Sequence, residues 1–255
     1  MSRIFITGSS QGIGAECARQ LIAADHEVVL HARDAHRAQA ATAANPGAVA
    51  VLTADLASLT QTRALASAAS EHGPYDAIIH NAGMGATTQR ELTEDGLERI
   101  FQVNVASAYV LTALLPVAPR MVFLTSGLEA DGTWTPEDLD WATRAWDGRQ
   151  AYADSKLHDS MLAFHLAGLH PESAVNVVDP GWIRTELGGP DAWDEVDQGA
   201  DTQVWLAVSD EPTAQDTGRY LKRRAPLSPN PIAREADARA ELISRLERAT
   251  GIALQ

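Results

Sequence analysis

Tyr152 and Lys156 stand four residues apart in Gln150-Ala-Tyr-Ala-Asp-Ser-Lys156, at the start of an apolar-periodic stretch. Leu157, Met161, Leu162, Phe164, Leu166 and Leu169 recur there at helical spacing as far as His170. Residues four apart share a helix face, so the spacing brings a phenol and an ammonium together as a candidate acid/base pair. A free phenol ionises near pH 10. To exchange protons near neutrality it must come down by roughly three pH units, which one positive charge at ~4 Å supplies at an effective dielectric of ~20. Tyr-x-x-x-Lys also arises readily by chance, so its meaning depends on what surrounds it.

A second chemical signal lies near the amino terminus, in Thr7-Gly-Ser-Ser-Gln-Gly-Ile-Gly14. Gly8, Gly12 and Gly14 let the backbone turn tightly from a strand into a helix, whose positive end suits a pyrophosphate. The spacing is G-x-x-x-G-x-G rather than the common G-x-G-x-x-G. The end of the second strand, Val28-Val-Leu-His-Ala-Arg-Asp34, should choose the dinucleotide. Ala32 stands where an acid would bond the ribose hydroxyls of NAD, and Arg33 follows with a guanidinium suited to the 2′-phosphate of NADP. Asp34 reads as the cap of the next helix; as a ribose contact it keeps NAD open as the alternative. Asp55-Leu56 and Asn81-Ala82-Gly83 fall at the ends of the third and fourth strands, the ligand edge of open α/β sheets. Asp55 either meets an adenine amino group or caps the helix that follows. Asn104 interrupts an apolar helix and is either a structural bridge or part of a proton path. Ser126 ends the fifth strand, where a hydroxyl can bond a substrate oxygen.

The elements that must position these residues alternate along the chain. Strands are predicted at Arg3–Thr7, Glu27–His31, Ala48–Thr53, Ala77–His80, Met121–Thr125, Ala174–Val178 and, more weakly, Gly218–Lys222. Helices are predicted at Ile13–Ala24, Ala35–Ala44, Ser58–His72, Thr93–Leu115 and Tyr152–His170. Every interval between strands can hold a crossover helix, which makes this an α/β chain: a doubly wound parallel sheet of about seven strands with helices on both faces. Leu187–Gly199 and Ala225–Pro231 read as the loosest segments.

Composition narrows the function. The 255 residues, 45% apolar and 21% charged, are ordinary for a soluble protein of one large or two small domains. A net charge of −14 argues against nucleic-acid and anionic-membrane partners. Arg3-Ile-Phe-Ile-Thr7 reads at once as a strand, not as a secretory signal. Ile100–Pro119 is long and uncharged, but Gln102, Asn104, Ser107, Thr112 and Pro116 make it a buried helix, not a membrane span. The single cysteine, Cys17, reads as a small buried hydrophobe in a reducing compartment. A cytoplasmic location is expected. The eight histidines show no metal-ligand spacing, so no metal is expected, and His158 and His165 read as exposed helix residues.

The ordered set of Thr7–Gly14, Asp55, Asn81-Ala-Gly83, Asn104, Ser126, Tyr152-Ala-Asp-Ser-Lys156 and Asp179-Pro-Gly-Trp-Ile-Arg-Thr185 resembles the short-chain dehydrogenase/reductase family, in its compact form. Thr125-Ser-Gly, Tyr152-Ala-Asp-Ser-Lys-Leu157 and Pro180-Gly-Trp-Ile-Arg-Thr-Glu-Leu187 resemble its retinol-dehydrogenase and protochlorophyllide-reductase-like branch, although Asp179 stands where that branch often has histidine. The resemblance implies a single Rossmann-fold domain over 1–255, with an insertion at about 128–149 and a lid at about 185–199. It implies an NAD(P)(H)-dependent oxidoreductase acting on a small carbonyl or alcohol, with NADP(H) favoured and NAD(H) the alternative. Tyr152 is then the general acid or base, Lys156 lowers the pKa of Tyr152 and holds the nicotinamide ribose, Ser126 orients the substrate oxygen, and Asn104 holds a linking water. Cofactor contacts fall to Gly8, Ser10, Gln11, Gly12, Ile13, Gly14, Arg33, Asp55, Leu56, Asn81, Ala82, Gly83, Tyr152, Lys156, Pro180, Gly181, Ile183 and Thr185. The family usually pairs through its long fourth and fifth helices, which implies a homodimer or homotetramer. A non-catalytic dinucleotide sensor on the same fold is the competing class; such a protein would be expected to lack one of Ser126, Tyr152 and Lys156. Trp134, Trp141, Trp146, Trp182 and Trp193 are core if buried, and at the cleft would favour a bulky apolar or planar substrate.

Overall fold

Ile4, Phe5 and Ile6 are consecutive and fully buried, which a strand achieves only when both faces of its sheet are covered. In the computed structural model, which describes residues 1–254, that strand is β1 (Arg3–Ile6). It lies in one sheet with β2 (Glu27–Ala32), β3 (Ala50–Thr53), β4 (Ala77–His80), β5 (Arg120–Leu124), β6 (Ala174–Val178), β7 (Tyr220–Lys222) and β8 (Ala225–Pro226). The spatial order is β3-β2-β1-β4-β5-β6-β7-β8, parallel throughout except for β8, which runs antiparallel to β7. The helices are α1 (Gly12–Ala23), α2 (Ala35–Ala44), α3 (Leu59–Ser70), α4 (Arg99–Phe101), α5 (Ser107–Leu114), α6 (Gly148–Leu169), α7 (Val196–Val208) and α8 (Ala236–Thr250).

Side chains alternate across a strand, and the core divides accordingly. Ile4, Ile6, Val28, Leu30, Ile79 and Val122 pack with α1, α2 and α7 on one face. Phe5, Val29, Ile78, Phe123 and Val177 pack with α3, α5, α6 and α8 on the other. The strand order reverses between β1 and β4, so a crevice opens above their carboxyl ends, the binding position of doubly wound sheets.

The sheet has eight strands where about seven were expected. The segment read as loose at Ala225–Pro231 begins by folding back as β8. Arg223 and Arg224, at φ +50° and +60°, make the two-residue turn between β7 and β8. Ion pairs from Arg223 to Asp194 and from Arg224 to Asp201 hold this unfavourable backbone.

The helix expected from Thr93 begins instead at Arg99. Residues 93–98 close on themselves through Thr93 N to Leu97 O at 2.9 Å and Gly96 N to Thr93 O at 3.1 Å. The Glu98 carboxylate then caps α4 by accepting from the Ile100 and Phe101 amides, both at 2.8 Å. Between α4 and α5 the chain makes a π turn, Gln102–Ala106, and Asn104 sits at its centre. The last four residues of the expected lid, 196–199, form the first turn of α7, closed by a reciprocal cap between Glu195 and Gln198. α8 lies outside the predicted elements: it is rich in Ala, Arg and Glu and offers α6 only a narrow stripe, Leu242, Ile243 and Leu246.

His158 is also corrected, being 1% exposed. It lies edge-on to Phe101 and Trp134, and burial pushes its imidazole pKa down to about 4. α6 is enclosed around most of its circumference, so its polar residues do not mark a solvent face.

Residues 128–149 fold around charge. Buried Asp138 accepts from the Ala142 and Thr143 amides at 2.6 and 3.0 Å, and Arg144 bridges it to Asp154 on α6. The Arg144 guanidinium lies 3.6 Å from the ring centre of Trp141, which is buried. Trp141 and Trp146 therefore belong to a small core with Ile100 and Ala151.

Candidate active site

The glycine-rich turn is shaped by packing as much as by any ligand. A Cβ on Gly14 would come within 2.4 Å of Asn81 Nδ2 and 2.6 Å of Gly8 O, and one on Gly8 (φ +62°) within 2.7 Å of Ala82 Cα. Asn81 Nδ2 donates to Thr7 O and Gly8 O, each at 2.9 Å, and Thr7 Oγ1 accepts from the Asn81 and Ala82 amides at 3.0 Å. The residues read as a cofactor contact after β4 thus also fasten that strand to the turn after β1. His31 holds the other side. Its Nδ1 accepts from the Gly8 amide at 3.0 Å, which leaves Nε2 to donate to Ala54 O at 2.9 Å. Burial pushes the pKa of this imidazole down. Gly14→Ala should therefore destabilise the fold by about 1–3 kcal/mol, read as a lower urea midpoint at an unchanged slope.

α1 differs from its neighbours at its amino end. Asp34 caps α2 through the Arg37 amide at 2.8 Å, Ser58 caps α3, and Asp147 caps α6. Gln11, at the N-cap of α1, makes no side-chain cap bond. The first-turn amides of α1 are left for an outside acceptor, which suits the phosphates of a dinucleotide. The Gln11 side chain reaches outward instead, donating to Glu186 at 2.5 Å and accepting from Arg37.

The other expected contacts line the same edge. Arg33 is exposed, and among the described residues it forms one ion pair, with Asp34 at 3.7 Å. Asp55 accepts from the Ala57 amide at 3.0 Å, turning its own loop rather than capping α3. After β6, the Asp179 carboxylate accepts from the Gly181 amide at 2.9 Å and pairs with Lys222 at 2.8 Å, fixing the Pro180-Gly181 turn. Ile183 is buried, and Thr185 lies with its methyl 3.3 Å from where a Gly12 Cβ would stand. The chain after β6 therefore covers the glycine-rich turn directly.

Tyr152, Lys156, Ser126 and Asn104 converge beside this edge. The Lys156 ammonium lies 5.9 Å from the Tyr152 ring centre and 3.5 Å from where a Gly83 Cβ would stand. It is 5% exposed and donates to Leu124 O at 2.9 Å and Asp159 Oδ2 at 2.7 Å. Thr125 Oγ1 donates to Lys156 O at 2.8 Å, tying α6 to the end of β5. Ser126 follows, half-buried, its Oγ accepting from the Leu128 amide at 3.3 Å while its own proton stays free. Asn104 is a bridge: Oδ1 accepts from the Met84 amide at 2.8 Å, and Nδ2 donates to Met84 O at 3.1 Å and Ser155 Oγ at 2.9 Å. Ser155 in turn donates to Tyr152 O at 2.8 Å. The π turn thus clamps the loop after Gly83 to the helix that carries Tyr152.

A family description, short chain dehydrogenase, matches residues 2–128. The short-chain dehydrogenase chyC of Penicillium rubens is 37% identical over 257 residues, covering 100% of this chain and 99% of its own. The chain belongs to the short-chain dehydrogenase/reductase family. Human retinol dehydrogenase 13 is 30% identical over 281 residues, covering 98% of this chain and 84% of its own, in keeping with the branch resemblance. A blue fluorescent protein from a metagenomic library, solved in complex with NADPH, superposes at a TM-score of 0.69 with 28% identity, covering 87% of this chain and 95% of its own. This dehydrogenase/reductase is therefore an α/β oxidoreductase of the class that acts on CH–OH or C=O groups with NAD(P)(H). Among the described residues no helix is long and apolar enough to cross a membrane, and no group of His, Cys, Asp and Glu is placed to hold a metal.

Three contributors lay outside the sequence reading: His31, Ser155 and Asp159. Only Asp159 left a signal, its i,i+3 spacing from Lys156.

Proposed function

We propose that this dehydrogenase/reductase interconverts a small carbonyl compound and its alcohol with NADP(H), and that Tyr152 exchanges the substrate proton. The observation that carries the reading is the placing of the Lys156 ammonium one helical turn from Tyr152, beside Gly83 at the carboxyl end of β4. When bound, the nicotinamide supplies or accepts the hydride. Negative charge then develops on the substrate oxygen during reduction. Ser126 donates to that oxygen, Tyr152 supplies its proton, and Lys156 stabilises the phenolate left behind. Gly8–Gly14 and the uncapped start of α1 hold the pyrophosphate, and Arg33 meets the 2′-phosphate. Asp34 is occupied as the cap of α2 and held well below the usual carboxylate range, first by the Arg37 amide. That favours NADP over NAD. A panel of aldehydes, ketones and quinones, followed by NADPH oxidation at 340 nm, tests the reading; no turnover on any of them, with NADPH bound, would favour the sensor class.

Residues 185–195, together with the first turn of α7, act as the lid. The segment is anchored at its root by the Ile183–Asp194 bridge and reaches over the glycine-rich turn through Glu186, on Gln11 and Arg37. Trp182 and Trp193, 42% and 70% exposed, meet edge-to-face at 4.6 Å on its outer part. Such a stretch buries little and belongs to the low-stability end of a fold, and its closure excludes water from the site. Amide exchange across 185–195 should be fast in the free protein and slow with NADPH and a substrate analogue. Full protection before ligand is added would make it a rigid surface loop.

A further inference from the structure

Lys156 has a charged partner on its own helix. Asp159 Oδ2 accepts from its ammonium at 2.7 Å, both side chains are almost wholly buried, and among the described residues Asp159 Oδ1 has no hydrogen-bond partner. Asp159 lines a cavity of about 10 Å³ with Thr7, His80, Asn104, Ser107 and Phe123. Of the groups around it, Lys156 and Tyr152 lie on α6 and His80 on β4; Thr7, Asn104 and Ser107 carry no charge. His80 is neutral, its pKa pushed down to about 3 by burial, with Nε2 on Thr112 Oγ1 at 3.3 Å. Among the described residues, the lysine is therefore the one positive charge that the carboxylate meets.

We propose that Asp159 is a positioning residue for the Tyr152–Lys156 pair: its carboxylate holds the ammonium beside Gly83 and, by its charge, keeps the pair fully protonated to higher pH. The proposal rests on the reading of Tyr152 and Lys156 as the proton-transfer pair. Burial alone pulls the Lys156 ammonium down, but the Asp159 carboxylate, and after it Tyr152, more than reverse this, so it lies above an ordinary lysine. Burial raises Asp159 to about 6 against the opposing pull of Lys156. Above that pH the carboxylate is charged through the range in which the pair titrates. Two strongly interacting groups release protons as a unit. Removing a neighbouring negative charge favours the first release whichever member gives it up, so the direction of the effect is fixed.

Asp159→Asn keeps an oxygen for the lysine and removes the charge. Reduction needs the fully protonated pair, so the basic limb of its kcat/KM profile should move down by about one pH unit or more, and Asp159→Glu should move it back. A readout independent of turnover is available because Lys156 and Lys222 are the only lysines in the sequence. Protein carrying [13Cε]lysine gives two lysine signals, and the one lost in Lys222→Arg belongs to Lys222. The Lys156 signal should begin to titrate above the range of an ordinary lysine in the wild type and at least about one unit lower in Asp159→Asn. Superimposable profiles and titrations in the two proteins would overturn the proposal, and so would a wild-type Lys156 that titrates at or below an ordinary lysine, a result that needs no variant. If the wild type reduces no carbonyl at all, the proposed function fails, and the lysine titration still decides the role of Asp159.

Discussion

Tyr152→Phe is expected to lower kcat/KM for carbonyl reduction by about 10²- to 10⁴-fold, the range for losing a positioned proton donor. NADPH affinity and the unfolding midpoint should stay close to those of the wild type. The geometry separates these effects. Among the described residues the Tyr152 hydroxyl makes no protein hydrogen bond, and the bond that fastens the residue, from Ser155 Oγ, goes to its main-chain oxygen. Phenylalanine keeps that bond, the half-buried ring and its place near Lys156, and deletes one oxygen. Steady-state kinetics with calorimetric NADPH titration separates chemistry from binding. If the variant kept most of its activity on a good substrate, the proton would have to come from elsewhere and the assignment of Tyr152 would be wrong. A large fall in both activity and affinity would mean that the hydroxyl positions the cofactor.

How much of this was legible depends on what each residue's neighbours in sequence could reveal. The strands of the central sheet announced themselves, because a sheet covered on both faces needs unbroken apolar runs such as Ile4-Phe-Ile6 and Ala77-Ile-Ile79. Tyr152 and Lys156 were legible because their relation is local, one turn of one helix. Asn104 was legible as an anomaly, a polar residue in an apolar helix, but not as the centre of a π turn, since one extra residue per turn leaves no mark on composition. His158 misled, and Asp159 went unread, for a shared reason. On a helix with one wet face they would point to water, whereas α6 is enclosed by the sheet, α8 and residues 128–149 together. That enclosure is built by segments far away in sequence, and α8 itself has too narrow an apolar stripe to be recognised before its partner is known. The link between His31 and Gly8 is also non-local: two strand ends become neighbours only once β1 and β2 pair.

Arg33→Ala should weaken NADPH binding by about 10- to 100-fold, the worth of one or two charge-assisted hydrogen bonds, and leave NADH binding where it was. Arg33 is well placed for this because little else claims it. It stands just beyond β2, its guanidinium exposed and, among the described residues, paired with one carboxylate, Asp34, at 3.7 Å. Asp34 is fixed by its Oδ1 bond to the Arg37 amide and could turn both oxygens to the ribose only by uncapping α2. The contact is also exposed, so the preference for NADPH should shrink as salt rises from 0.05 to 0.5 M, roughly as the screening length shortens through ~10 Å. Calorimetric titration of both cofactors into both proteins, at two salt concentrations, reads all of this at once. Equal affinities for NADPH and NADH in the wild type would remove Arg33 as the discriminator. Asp34 would then have to leave its capping bond for the ribose, and Asp34→Asn, which still caps a helix, would weaken NADH binding instead.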